Sequence, residues 1–174
     1  MTGADVLLLG SEPNDPDVMR LLICEVPAAR ALTRHQNHGE ACVWCGERDS
    51  LAPLGGAYGW RPHGCPLCRR VRLTYLSAYV SWKRHVRDCE PCRIEWCPDG
   101  WSLALGHGIA YEVTKKPEPV HCACGCPLPL TSRRLRPYTE NDVGGPRYSH
   151  TGPCRSGSDP GPAPSVAPRP EEVP

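Results

Sequence analysis

The sequence predicts a small, metal-stabilised α+β protein, and three observations predict it. Three CxxC pairs, Cys42/Cys45, Cys65/Cys68 and Cys89/Cys92, stand between residues 42 and 92 of a 174-residue chain that holds 12 cysteines. Two thiolates separated by two residues lie on one tight turn with both sulfurs facing the same way, and two such turns complete a tetrahedron around Zn²⁺. The composition, with 21 Pro, 17 Gly and no Phe, leaves few large side chains to fill a core, so the fold needs staples. Between Arg69 and Arg87 the chain contains neither Pro nor Gly, and apolar residues recur there at helical spacing. That stretch predicts the one long helix.

Redox compartment decides between metal and disulfide as the staple. Met1 to Gly10 has no basic stretch ahead of its apolar run, which is only Val6 to Leu9, and Leu21 to Cys24 is equally short. Neither reads as an export signal or a membrane span, so the expected setting is a reducing cytoplasm, where clustered cysteines hold metal. Paired disulfides are the alternative.

Net charge is unevenly placed. Residues 1–59 carry four Arg against eight acids, residues 60–155 carry fifteen Lys or Arg against eight acids, and the tail from 156 carries one against three. The basic middle is the part that holds the CxxC pairs, which points to phosphate-bearing partners.

In chain order, residues 1–18, with Pro13, Asn14, Asp15 and Pro16, predict a disordered leader. Residues 19–41 predict a short helix over Leu21 to Leu32 and a linker, with Cys24 as a buried thiol. The first metal-held unit spans 42–88. CVWCG forms a knuckle in which Gly46 takes the left-handed turn, LGGAYGW closes a hairpin, and CPLC opens the helix. Its core stripe is Val71, Tyr75, Ala78, Tyr79, Trp82 and Val86. Arg69, Arg72, Lys83, Arg84 and Arg87 lie off that stripe, on either a solvated or a phosphate-facing surface.

A second unit spans 89–118. His85 and Cys89 are one helical turn apart, Cys92 follows one turn on, and the fourth ligand is Cys97 or His107, Cys97 being the nearer. Arg93 to Val113 reads as short strands separated by turns at Pro98-Asp99-Gly100 and Gly106-His107-Gly108, a β-meander with His107 exposed at a turn. The third unit, 119–154, reads as a zinc-ribbon-like hairpin. Cys124 and Cys126, with Cys122 as their competitor, join His150 and Cys154 in a third tetrahedral site. Arg133, Arg134, Arg136 and Arg147, interleaved with Tyr138 and Tyr148, suit phosphate contact and base stacking. Residues 155–174 predict a disordered Pro-rich tail.

The knuckle, hairpin and helix-borne CPLC resemble the treble-clef zinc fold over about a quarter of the chain. That resemblance implies two cysteine pairs around one zinc. Treble clefs include HNH nucleases, whose Asp-His pair holds a catalytic metal, whereas the loop here offers Asp49 and His63, neither adjacent nor followed by the family's Asn. The string His85, Cys89, Cys92 resembles zinc-binding anti-sigma factors, and His63 falls where that family has its upstream histidine. The run Cys89, Cys92, Cys97 is similar to WhiB-like iron–sulfur regulators but lacks their turn and places the third cysteine one residue short. In RING- or LIM-like modules the pairs also alternate between two ions, but a helix of about 20 residues holds its ends roughly 30 Å apart and argues against a cross-brace.

The expected function is therefore regulatory binding without catalysis, organised by two or three zinc ions. Nucleic acid comes first as partner, a regulatory protein such as a transcription or sigma factor is the near alternative, and a metal-dependent nuclease is third. No membrane and no small-molecule substrate is expected.

Overall fold

The computed structural model describes residues 15–55, 60–114, 135–138 and 145–150. In chain order they form helix α1 (Pro16–Cys24), a 3-10 turn (Ala29–Ala31), the one-turn helix α2 (Arg34–Asn37), and strands β1 (Ala52–Pro53) and β2 (His63–Gly64). The long helix α3 (Pro66–Asp88), a second 3-10 turn (Pro91–Arg93), helix α4 (Pro98–Val113), and strands β3 (Leu135–Pro137) and β4 (Tyr148–His150) follow. Among the described residues the strands form two antiparallel pairs, with Ala52 opposite Gly64 in one and Leu135 opposite His150 in the other. The protein is thus a mixed fold of helices and short strand pairs built around α3.

Helix α3 forms where the unbroken helical period predicted it, and its buried residues are Tyr75, Leu76, Ser77, Tyr79, Val80, Trp82 and Val86. Leu76 and Val80 widen the expected stripe, because α3 is covered on two sides. Val18, Leu21 and Leu22 of α1 pack on it from one side, and Ala104 and Ala110 of α4 with Leu135 and Tyr148 of the β3–β4 pair complete the same core. The units expected to be separate therefore share one core.

Helix α1 takes over the end of the leader expected over residues 1–18, whose first 14 residues lie outside the described residues, and begins earlier than the helix placed at Leu21 to Leu32. The Asn-Asp-Pro signal is a helix start: Asp15 is the N-cap, its carboxylate accepting from the Asp17 amide at 3.0 Å, and Pro16 occupies the first turn, where its missing N–H costs nothing. Arg84 of α3 reaches both Asp15 and Asp17, at 2.7 and 2.8 Å, and this guanidinium holds the Asp15 carboxyl below its usual pKa. The helix ends at Cys24, just before Pro27, and Cys24 is exposed instead of buried.

Helix α4 replaces the expected β-meander. Two of its three glycines belong to a packing surface and none is a turn: Gly100, Ala104 and Gly108 recur every fourth residue and are all buried, so the small side bears on its neighbours. Cys97 caps the start and Pro98 fills the first turn. His107 is fully buried, not exposed at a turn. Its ring stacks on Tyr75 at 5.1 Å and hydrogen-bonds through Nε2 to the Tyr148 hydroxyl at 2.8 Å. Tyr148, expected as a base-stacking residue, is therefore core as well, and its hydroxyl also meets that of Tyr75 at 3.3 Å. Removing this hydroxyl in Tyr148→Phe is expected to cost about 1–3 kcal/mol. Denaturant titration checks it, with metal content unchanged.

Candidate metal centres

Among the described residues two groups of four side chains converge, and they follow one another in sequence. Cys42, Cys45, Cys65 and Cys68 form the first, and His85, Cys89, Cys92 and Cys97 the second; within each, the ligand atoms all lie within 4.8 Å of one another. Both groups could hold a metal ion.

The first centre is built by a knuckle and a helix start. The Gly46 amide donates to the Cys42 carbonyl at 2.9 Å and the Cys42 amide to that of Glu47 at 2.7 Å, closing the turn that aims both sulfurs inward. Gly46 sits at φ +78°, the left-handed conformation expected of it. Helix α2, held by a Thr33–Gln36 capping box, fixes the knuckle through Gln36, whose Nε2 donates to the Cys42 carbonyl at 3.0 Å. Across the hairpin, Cys65 is the N-cap of α3, its Sγ accepting from the Cys68 amide at 3.5 Å. CPLC is thus a helix start and a ligand pair at once.

The second centre repeats that device. His85 lies in the last turn of α3, Cys89 caps its C-terminus, and Cys92 follows in the 3-10 turn. Cys97 is the N-cap of α4, its Sγ accepting from the Gly100 amide at 3.2 Å. Cys97 and not His107 is therefore the fourth member. His63, which the anti-sigma resemblance offered as a ligand, belongs to neither centre, and its Nδ1 lies 2.8 Å from the Arg61 carbonyl.

The separations fit one four-coordinate ion at each centre. A tetrahedron with metal–sulfur bonds of about 2.3 Å puts sulfurs about 3.8 Å apart and a ring nitrogen about 3.5 Å from a sulfur. Cys45 and Cys65 are 3.7 Å apart, Cys89 and Cys97 3.8 Å, and His85 Nε2 is 3.5 Å from the Cys92 sulfur, while Cys97 lies closer to Cys92, at 3.5 Å, and to His85 Nε2, at 3.1 Å. A disulfide would need about 2.05 Å, and every described cysteine is free.

Electrostatics prepare one sulfur in each group for a cation. The Gly100 amide, with His85 beside it, lowers the Cys97 thiol to about 6. Burial pushes the Cys42 thiol up, but the amides of Cys65, Cys45 and Trp44 outweigh it and leave Cys42 at about 7. Burial raises Cys68 and carries Cys92 to about 11, so an arriving ion displaces protons from these. An open cleft of about 350 Å³, lined by Trp96, Cys97, Trp101 and Arg136 among others, gives the second centre access from solvent.

The described residues expected to meet phosphate differ in burial and contacts. Arg72 lies over the Trp44 ring, 4.3 Å from its centroid. Arg136 is buried, donates to the Cys92 carbonyl and lies 4.7 Å from the Trp96 centroid, so it is turned into the molecule and not toward solvent. Arg69 is half-buried and Arg147 exposed. Arg133, Arg134, Cys122, Cys124, Cys126 and Cys154 lie outside the described residues. His150 is half-buried on β4, in neither centre. Gly100, Trp44 and Trp96 were not singled out from sequence, although Trp-Cys occurs twice, at Trp44-Cys45 and Trp96-Cys97, and Cys-Pro opens both large helices, at Cys65-Pro66 and Cys97-Pro98.

No protein-family model matches the chain, and no curated protein and no solved structure matches it significantly. Among the described residues no helix is long and apolar enough to cross a membrane.

Proposed function

We propose that this protein is a zinc-structured binding module without catalytic activity, in which a four-cysteine ion and a three-cysteine, one-histidine ion brace the two ends of α3 and a protein partner docks on α4. The observation that carries the reading is that each centre gathers four protein ligands at tetrahedral spacing. Zinc sites closed by four protein ligands are structural, whereas catalytic ones keep a position open for water or substrate. The tight span of each ligand set favours a single ion over an iron–sulfur cluster, which spreads its thiolates around several metal atoms. The knuckle, β1–β2 hairpin and α3 together support the treble-clef reading of the first centre. Thiolate-held zinc accords with the reducing cytoplasm expected from the sequence.

A protein is the partner best supported. Arg72 and Arg136 are engaged inside the molecule, and Arg84 is paired with Asp15 and Asp17. On α4, by contrast, Leu105, Ile109 and Val113 recur every fourth residue and are 37%, 57% and 51% exposed. That spacing is one apolar helical stripe, suited to the apolar face of a partner helix. Elemental analysis under reducing conditions is expected to give at least two zinc per chain. Proteins retained by the wild-type chain are expected to be lost with Ile109→Glu, a surface change that leaves zinc content and fold intact. Nucleic-acid affinity that falls steeply with salt, together with indifference to Ile109→Glu, overturns the protein reading in favour of nucleic acid.

A further inference from the structure

The two metal centres share a feature that ligation alone does not require. In each, a tryptophan immediately precedes a cysteine ligand, Trp44 before Cys45 and Trp96 before Cys97. In each, an arginine from another element lies over that indole, Arg72 of α3 over Trp44 at 4.3 Å and Arg136 of β3 over Trp96 at 4.7 Å. Both indoles are fixed in place. The Trp44 Nε1 donates to the Glu25 carbonyl at 3.0 Å, and a Cβ on Gly64 would come within 2.6 Å of its ring. Trp96 stacks on Trp82 at 5.7 Å, and Arg136 donates to the Cys92 carbonyl, the main chain of a ligand itself.

Charge explains why a cation belongs there. Four thiolates around a divalent ion leave an excess of two negative charges, and three thiolates with a neutral histidine leave one. Excess charge in a partly buried site is costly unless a counter-charge is held nearby. Arginine suits the task, because its guanidinium is planar, weakly hydrated, always charged, and stacks on indole.

We propose that Arg72 and Arg136 are positioning residues for the two metal centres, each held over the indole beside a cysteine ligand so that its charge offsets the excess negative charge of the thiolates. Both guanidinium groups are partly or wholly withdrawn from solvent, and the negative groups beside them are Cys68, Glu25, Cys42 and Cys45 for Arg72 and Cys92 for Arg136. Each arginine thus lies beside the candidate ligands of its own centre, and Arg72 has the Glu25 carboxylate beside it as well. The inference rests on the zinc reading above and goes beyond it by naming residues outside the ligand sets that set metal affinity.

The test uses the full chain loaded with Co²⁺, whose visible bands distinguish a four-cysteine site from a three-cysteine, one-histidine site, and a competing chelator that reports the affinity of each. Arg72→Gln is expected to weaken the first centre by about 10- to 100-fold, as loss of a supporting residue does, and to leave the second unchanged. Arg136→Gln is expected to do the reverse. Arg72→Lys, which keeps the charge, is expected to recover much of the loss. If either Gln variant weakens both centres equally, the arginine acts on the fold and the proposal fails. It fails also if the affinities do not move, or if Arg72→Lys is as weak as Arg72→Gln. A wild-type chain that binds no metal sinks the zinc reading itself, an outcome separate from all of these.

Discussion

Excess chelator under reducing conditions is expected to abolish most of the helical signal of this chain, and added zinc to restore it. Both large helices begin on a candidate metal ligand. Cys65 caps α3 and Cys97 caps α4, each sulfur accepting an amide from the first turn, and α3 ends on Cys89, with His85 in its last turn. Removing the ions releases both ends of α3 and the start of α4 together. A structural zinc contributes an apparent 10–16 kcal/mol near neutral pH, and a whole domain is stable by only about 5–15 kcal/mol, so loss of two ions exceeds what the shared aromatic core can offset. Acid is expected to act in the same direction. The folded, metal-bound state holds its cysteines as thiolates, whereas the unfolded chain carries them as protonated thiols below about pH 8.5. The unfolded state therefore binds more protons, and stability rises with pH and falls on acidification. Far-ultraviolet circular dichroism during chelator and acid titrations checks both, and a native-like spectrum in excess chelator would falsify the metal-dependent fold.

The long helix and the ligand pairs were legible in the sequence because each is a local, periodic signal. Nothing between Arg69 and Arg87 interrupts the 3.6-residue period, and CxxC spacing is itself the geometry of a ligand turn. Gly46 was legible for the same reason, since a knuckle requires one left-handed residue. What sequence reasoning missed depends on tertiary contact. Gly100, Gly106 and Gly108 have the composition of turns, and only the presence of α3 turns Gly100, Ala104 and Gly108 into a buried face. His107 reads as a solvent-exposed residue until Tyr75, Tyr79, Trp82 and Tyr148 enclose it. Arg136 reads as a phosphate contact because it is basic and near aromatics, and those are also the properties of a counter-ion stacked on Trp96 beside a thiolate centre. The missed start of α1 is of another kind. Asp15-Pro16 was present as a capping signal and was outweighed by the turn-forming residues before it.

Gly100→Ala is expected to eliminate the second centre while Gly106→Ala, the same chemical change in the same helix, is expected to stabilise the protein. Helix propensity alone favours both, since alanine is better than glycine in a helix interior by about 1 kcal/mol. Space separates them. A Cβ on Gly106 meets nothing within 4 Å, whereas one on Gly100 would lie 2.6 Å from the Cys92 sulfur, 3.2 Å from the Trp96 ring and 3.3 Å from His85 Nε2. None of these groups can yield cheaply. The sulfur and the imidazole converge with Cys97 in the second candidate centre, and Trp96 is packed against Trp82 and Arg136. Displacing the sulfur pulls it away from the point on which all four candidate ligands converge. Backbone movement offers no relief either, because the Gly100 amide is the one that donates to Cys97. Gly100→Ala is therefore expected to bind one metal ion fewer than wild type, with the four-cysteine spectrum of the first centre intact in the Co²⁺ form. Gly106→Ala keeps the wild-type stoichiometry and a raised denaturation midpoint. Equal metal content in the two variants would show that α4 does not approach the second centre as closely as the glycine implies.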